Sequence, residues 1–275
     1  MMPKLGMVHY NFPNFSFDEF LEFVSVTGFD NVELQVNDVW HPGIDVPEKY
    51  AEAIRKKVES YGLNVCAFAA GNDFVVLDEE AVRFQVDRMR RIVRLTKILG
   101  ATAIRTEGGS PKESVPENRW IEAMAGCLNR CAEFAETEAV YLAVDNHGFV
   151  TNDGDRQVEL FERIGSKFVG ATLDTMNYRW FGHDLQTVER YYEIIAPYTL
   201  HLHLKDGRGI RSEYRGEALG EGEINLMKAI HCLKAAGYQG SWCCEYEGRE
   251  NDGRGQRKCY EYLKANLDTS AANGS

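Results

Sequence analysis

No apolar run in this sequence approaches the roughly 20 residues needed to span a bilayer, and the opening Met1-Met2-Pro3-Lys4-Leu5 lacks the apolar stretch of a secretion signal. These absences point to a soluble, cytoplasmic protein. Proline is scarce, with 7 among 275 residues, while hydrophobic residues make up 44%. That balance excludes disorder and fibrous repeats and provides enough apolar material for a sizeable core. Basic residues are in the minority, 31 against 42 acidic ones, giving a formal net charge of −11. Nucleic-acid binders usually carry a basic domain, so no nucleic-acid partner is expected, nor a membrane one. No Cys-x-x-Cys pair occurs among the 7 cysteines, which argues against a zinc ribbon or a redox motif. Cys127 and Cys131, four apart on an expected helix, read as small buried thiols, and Cys243 and Cys244 as packing on opposite faces of a strand.

What is present is one unit repeated. Eight short apolar runs lie at 4–9, 31–35, 64–69, 102–105, 140–145, 169–174, 200–204 and 241–245. Most are continuous in Val, Ile, Leu and aromatics, as expected of parallel strands covered on both faces. Between them lie helical patterns. Phe17, Phe20, Leu21 and Val24 follow the i, i+3, i+4, i+7 spacing, with Ser16 and Glu19 placed as a capping box. Val82, Val86, Met89 and Val93 continue the pattern in the third unit, which stops at Gly100. Segments near 47–61, 116–137, 155–165, 185–195, 225–236 and 253–266 read as further helices. Eight βα units in this length predict an α/β fold, a (β/α)8 TIM barrel forming a single domain over 1–268, followed by a polar, disordered tail at 269–275. A doubly wound open sheet competes, but its Gly-rich phosphate turn is missing after the first strand, where His9-Tyr10-Asn11-Phe12 stands instead.

In such a barrel the chemistry gathers where the strands end. The first strand ends at His9, the second carries Glu33, and the fourth ends at Arg105 with Glu107 beyond it. The fifth ends in Asp145-Asn146-His147 and the sixth in Asp174; the seventh holds His201, His203, Lys205 and Asp206, and the eighth ends at Glu245. Asp145, Asp174, His203 and Glu245 come one each from strands five to eight. Three hard oxygen donors with one imidazole suit one divalent ion, Mn²⁺ first, with Mg²⁺, Co²⁺ or Zn²⁺ as alternatives. Such an ion holding two neighbouring oxygens of a hydroxy-ketone stabilises an enediolate, with nearby carboxylates as bases. Blander roles compete: Asp174 as a helix cap, Glu33 as a hydrogen-bonded scaffold, Lys205-Asp206 as an exposed ion pair. Gly220-Glu221-Gly222 has the form of a weak phosphate cradle with an acidic centre.

Several of these segments carry a family likeness. Gly28-Phe29-Asp30-Asn31-Val32-Glu33-Leu34 resembles the second strand of the sugar isomerase/epimerase-like barrels, the superfamily of xylose isomerase-type TIM barrels and endonuclease IV. Leu173-Asp174-Thr175-Met176-Asn177 resembles the sixth strand, Leu202-His203-Leu204-Lys205-Asp206 the seventh, and Gly240-Ser241-Trp242-Cys243-Cys244-Glu245-Tyr246-Glu247 the eighth. Leu219-Gly220-Glu221-Gly222-Glu223-Ile224 resembles the loop that precedes the next helix. The likeness covers about residues 4–266. It implies metal ligation by Asp145, Asp174, His203 and Glu245. Two positions depart from the pattern: Asp145 stands where Glu is usual, and Asn177 where His often follows.

The expectation is therefore a divalent-metal-dependent isomerase or epimerase of a sugar, cyclitol or keto-sugar derivative. Asp145 and Glu245 would move protons on opposite faces of the substrate. His9, Glu33, Arg105, Glu107, His147, Asn177 and Lys205 would contact its hydroxyls or carbonyl. The alternative is a metal-dependent dehydratase or lyase acting beside a carbonyl; an endonuclease IV-like enzyme needs more than the 7 histidines present and a basic groove. Homo-oligomerisation is open, with Trp40 or Trp180 as a subunit contact or lid.

Overall fold

The computed structural model describes residues 3–12, 14–250 and 252–267. The expected tail at 269–275 lies outside the described residues. Ten strands appear among them: β1 (Leu5–Val8), β2 (Asn31–Gln35), β3 (Asn64–Ala69), β4 (Ala103–Thr106), β5 (Tyr141–Asp145), β6 (Val169–Asp174), β7 (Thr199–Leu204), β8 (Asp206–Arg208), β9 (Arg215–Glu217) and β10 (Trp242–Cys244). The helices are α1 (Phe17–Thr27), α2 (Pro47–Ser60), α3 (Glu79–Leu99), α4 (Trp120–Thr137), α5 (Gly154–Ile164), α6 (Asn177–Phe181), α7 (Leu185–Ile195), α8 (Leu226–Ala235) and α9 (Arg254–Leu267). Strands β1 to β7 run in order around a closed parallel barrel, and β10 completes it between β7 and β1. This is the TIM barrel. Among the described residues no helix is long and apolar enough to cross a membrane.

Local chemistry sets the helix ends as the spacing implied. Ser16 accepts from the Glu19 amide while Glu19 accepts from the Ser16 amide, satisfying two otherwise orphan donors at the start of α1. Gly100, at φ 81°, ends α3 in a left-handed turn that a side chain would resist. Inside the barrel wall, a Cβ on Gly6 would lie 2.5 Å from Cys243 Sγ, so glycine there permits close strand approach. All seven cysteines are free. Burial pushes the thiols of Cys127, to about 11, and Cys131 upward, which suits packing rather than ligation.

Two elements lie outside the sequence pattern. The five-residue α6 begins directly after β6, and β8 and β9 form an antiparallel hairpin over the mouth. The helix expected from 116 starts at Trp120, because Pro116 leads into a 3₁₀ turn over Glu117–Arg119. Register then positions the chemistry: Asp174 pairs with His203 across β6 and β7, His203 with Cys243 across β7 and β10, and Val8 with Glu33 across β1 and β2.

Candidate active site

Alternate residues of a strand share a face, so His201 and His203 of β7 both turn into the barrel. There Glu33 Oε2, from β2 on the opposite wall, lies 2.6 Å from Nε2 of each. An ionised carboxylate only accepts, so both Nε2 atoms carry protons. Glu33 is completely buried, and its Oε1 has no hydrogen-bond partner. Burial alone would raise its carboxyl, but the two imidazoles outweigh burial and hold it far below the usual carboxylate range. Burial pushes His201 down against the pull of Glu33, leaving a neutral donor. His203 is also penalised by burial, yet Glu33 and Glu245 together raise it well above an ordinary histidine. Its Nδ1 faces Glu245 Oε2 at 2.8 Å without hydrogen-bond alignment.

Asp174 does two things. Its Oδ1 accepts the amides of Met176 and Asn177 at 2.9 and 3.0 Å, capping the turn into α6. Its Oδ2 faces Lys205 Nζ at 2.9 Å. The ammonium also lies 3.4 Å from Glu245 Oε1 and 3.6 Å from Glu247 Oε2. Burial pushes Asp174 up to about 6; Lys205 opposes the rise, and Glu245 and Asp145 add to it. Glu245 would be raised by burial too, but Lys205 and His203 hold it well below its usual value. Ligand atoms of Asp174, His203 and Glu245 all lie within 4.8 Å of one another.

Asp145 belongs to a neighbouring group. Its ligand atom lies within 4.8 Å of those of Glu107 and His147. Arg105 binds it through Nε, 2.8 Å from Oδ2, and through Nη2, while Nη1 meets Glu107 Oε1 at 2.6 Å. Asp145 Oδ1 is buried without a partner. The four residues from β5, β6, β7 and the end of β10 therefore stand as three together and one beside them, tied to a guanidinium.

The other expected site residues separate. His147, Asn177 and Lys205 line a cavity of about 380 Å³ at the mouth. Arg105 and Glu107 are engaged with each other. His9 is turned away from the cavity, its Nδ1 2.8 Å from Asp38 Oδ2 and its ring on Phe20. Glu33 sits as a buried acceptor beneath the histidines, the arrangement of the hydrogen-bonded scaffold weighed for it beside a substrate contact. Lys205 and Asp206 are not an exposed ion pair. Both are buried, and Asp206 Oδ2 instead accepts the amides of Gly220 and Gly222 at 2.9 and 3.0 Å. That internal carboxylate fills the supposed phosphate cradle. Trp40 is flanked by Arg88 and Arg91, each guanidinium 5.0 Å from a ring centroid.

Sequence reasoning missed Tyr10, Tyr214 and Glu247, which line the cavity together with Trp180, the residue expected as a lid or subunit contact. Tyr10 directly follows His9 and Glu247 stands two residues past Glu245, both strand ends already singled out, which is the signal that was there to use. Tyr214 belongs to the hairpin and had no such signal. Asn177 Nδ2 is buried without a partner beside the cavity, a donor available to a ligand.

The donor set could hold a divalent cation. Glu33, Glu107, Asp145, Asp174, Glu245 and Glu247 are six carboxylates, against Arg105, Lys205 and a protonated His203. Buried negative charge left uncompensated is costly. Asp174 Oδ2, His203 Nδ1 and Asp145 Oδ1 are buried without hydrogen bonds, and mixed carboxylate and imidazole donors suit Mn²⁺, Mg²⁺ or Zn²⁺.

A closed parallel barrel with such a cluster at the carboxyl ends of its strands defines a class of enzyme-like barrels. Residues 21–266 match the model of the xylose isomerase-like TIM barrel family, and the chain belongs to that family. It is 26% identical over 141 residues to an uncharacterized protein of Methanocaldococcus jannaschii, covering half of this chain and 47% of that one. Solved structures share the fold. A xylose isomerase-like barrel protein from Mycobacterium smegmatis, in complex with magnesium, superposes with a TM-score of 0.77 at 17% identity, covering 97% of each chain. A D-psicose 3-epimerase from Clostridium cellulolyticum, with D-tagatose, gives 0.74 at 15% identity over 96% of this chain and 99% of that one.

Proposed function

We propose that this protein is a divalent-metal-dependent isomerase or epimerase of a sugar, cyclitol or keto-sugar derivative. The observation that carries the reading is the buried Asp174–His203–Glu245 group beside a polar cavity. The epimerase and the magnesium-bound barrel protein among its structural neighbours agree with it. Asp174, His203 and Glu245 would hold the ion, with the free Oδ1 of Asp145 as the fourth ligand; Mn²⁺ is the first candidate. When bound, the ion supplies Lewis-acid polarisation of a substrate oxygen next to the carbon that loses its proton. Glu245 is the base for that proton. It is kept ionised by Lys205 and His203, so it is ready to accept at neutral pH.

Asp145 serves the opposite face of the substrate, where Arg105 fixes its carboxylate in one orientation. Lys205 presents a positive charge to the cavity and offsets negative charge developing on the ligand. Asn177 and His147 bind hydroxyls. Tyr10, Trp180 and Tyr214 offer ring faces to the C–H faces of a carbohydrate, and a cavity of about 380 Å³ is of the size small-molecule sites have.

A dehydratase or lyase is the second reading, favoured by Glu247, a further carboxylate on the cavity wall 3.6 Å from Lys205, through which a proton from the Lys205 ammonium would pass to a departing hydroxyl. The test is deuterium wash-in from heavy water with a panel of ketoses and keto-cyclitols, with product analysis. Exchange by the native protein, reduced ~100-fold or more in Glu245→Gln, supports the reading. Unimpaired exchange in a metal-loaded Glu245→Gln protein refutes the assignment of the base. An ultraviolet-absorbing unsaturated product selects elimination.

A further inference from the structure

Beside the mouth lies a second cavity, of about 530 Å³, and Tyr214 lines both. Three guanidinium groups wall the outer cavity: Arg208 at the end of β8, Arg215 at the start of β9, and Arg249 after β10. The hairpin register sets Arg208 directly opposite Arg215. Like charges in that relation destabilise a strand pair, so the hairpin holds an unfavourable arrangement that an anion would relieve.

Arg208 donates one Nη2 bond to the Glu221 carbonyl at 2.5 Å. The side chains of Arg215 and Arg249 have no ion pair or hydrogen bond among the described residues. Glu213 and Glu217 share the cavity wall but pair with neither. Elsewhere guanidinium groups meet carboxylates, as Arg179 does Glu223 at 2.6 Å and Arg130 does Glu79 at 2.8 Å. In a chain of net charge −11, three arginines converging on one cavity form a local reversal of sign. The inner cavity offers an anion less: its Lys205 already faces three carboxylates.

We infer that the outer cavity binds an oxyanionic group, a phosphate or a carboxylate, at the end of the substrate remote from the reacting carbon. The planar fork of arginine matches both groups in two-point hydrogen bonding. Tyr214 then packs between the reacting part and the charged end. The link to a substrate rests on the proposed carbohydrate reading; anion binding by the cavity does not.

The experiment is calorimetric titration of the purified protein with inorganic phosphate at low ionic strength, for the native chain and for the Arg215→Gln/Arg249→Gln double variant. Both side chains are exposed, so the variant should fold. The expected result is one saturable phosphate site, weakened at least tenfold in the variant and weakened by added salt, with metal content unchanged. Absence of saturable binding, or equal affinity in the variant, overturns the site. A phosphorylated ketose, a hexuronate and a neutral ketose are then used to displace phosphate. Tighter displacement by the phosphorylated ketose or by the hexuronate supports the spanning ligand and says which anion it carries. If neither exceeds free phosphate, or the neutral ketose does as well, the spanning ligand is refuted. Exchange on a neutral ketose and metal content are read separately, so failure here leaves the isomerase reading standing, and the reverse also holds.

Discussion

Replacing Glu33 with glutamine keeps the shape of the side chain and removes one charge from beneath the two histidines. In the native protein a single oxygen accepts from both Nε2 atoms at 2.6 Å. A glutamine carbonyl can accept from one histidine or both, but its amide group adds two donors where no acceptor was needed, and the imidazolium of His203 loses its deeper counter-charge. Breaking a buried charged pair costs about 3–5 kcal/mol, so denaturant unfolding at pH 7 without metal should show a loss of that order. The pH dependence follows in sign. Glu33 is held below its ordinary 4.5 by the histidines despite burial, so its contribution is present above that value and lost as pH falls further. The native-to-variant difference should therefore shrink on acidification. Carboxylates that orient a ligating histidine are worth about 10–100-fold in metal affinity, and titration with Mn²⁺ should register that loss. Stability and metal affinity both equal to the native protein would refute the role given to Glu33.

Three further outcomes are expected. Metal affinity should fall more steeply with pH below about 6, because Asp174 then takes up a proton that competes with the cation in addition to the one on His203; an unchanged slope from pH 7 to 5 contradicts this. Metal binding should release about one proton, from His203 Nδ1, seen as a calorimetric enthalpy that varies with the ionisation heat of the buffer. Gly6→Ala should destabilise by about 1–3 kcal/mol through overpacking against Cys243, and Cys243→Ala should recover part of that loss in a double-mutant cycle.

The barrel was legible because each wall strand is a short apolar run ending in a polar residue. The runs at 31–35, 64–69 and 169–174 coincide with β2, β3 and β6. The β8–β9 hairpin was not, since strands of three residues centred on Gly207 and Gly216 carry no apolar period. Nor was α6, too short at five residues to show a helical repeat. Within the site, Asp174, His203 and Glu245 could be grouped from strand ends alone, because parallel register brings equivalent positions to one level. Contacts across the barrel leave no such trace. Glu33 meets histidines 168 and 170 residues away, and the Arg105–Asp145 pair depends on side-chain lengths that a strand pattern does not encode.

The most direct test is anomalous diffraction at the manganese edge from crystals soaked in Mn²⁺. One strong peak is expected, bonded to carboxylate oxygens of Asp174 and Glu245 and to His203 Nδ1, with Asp145 Oδ1 turned toward it and Lys205 Nζ withdrawn from Asp174. No peak at the barrel mouth, or a peak held by other residues while His203 Nδ1 still faces Glu245, would contradict it.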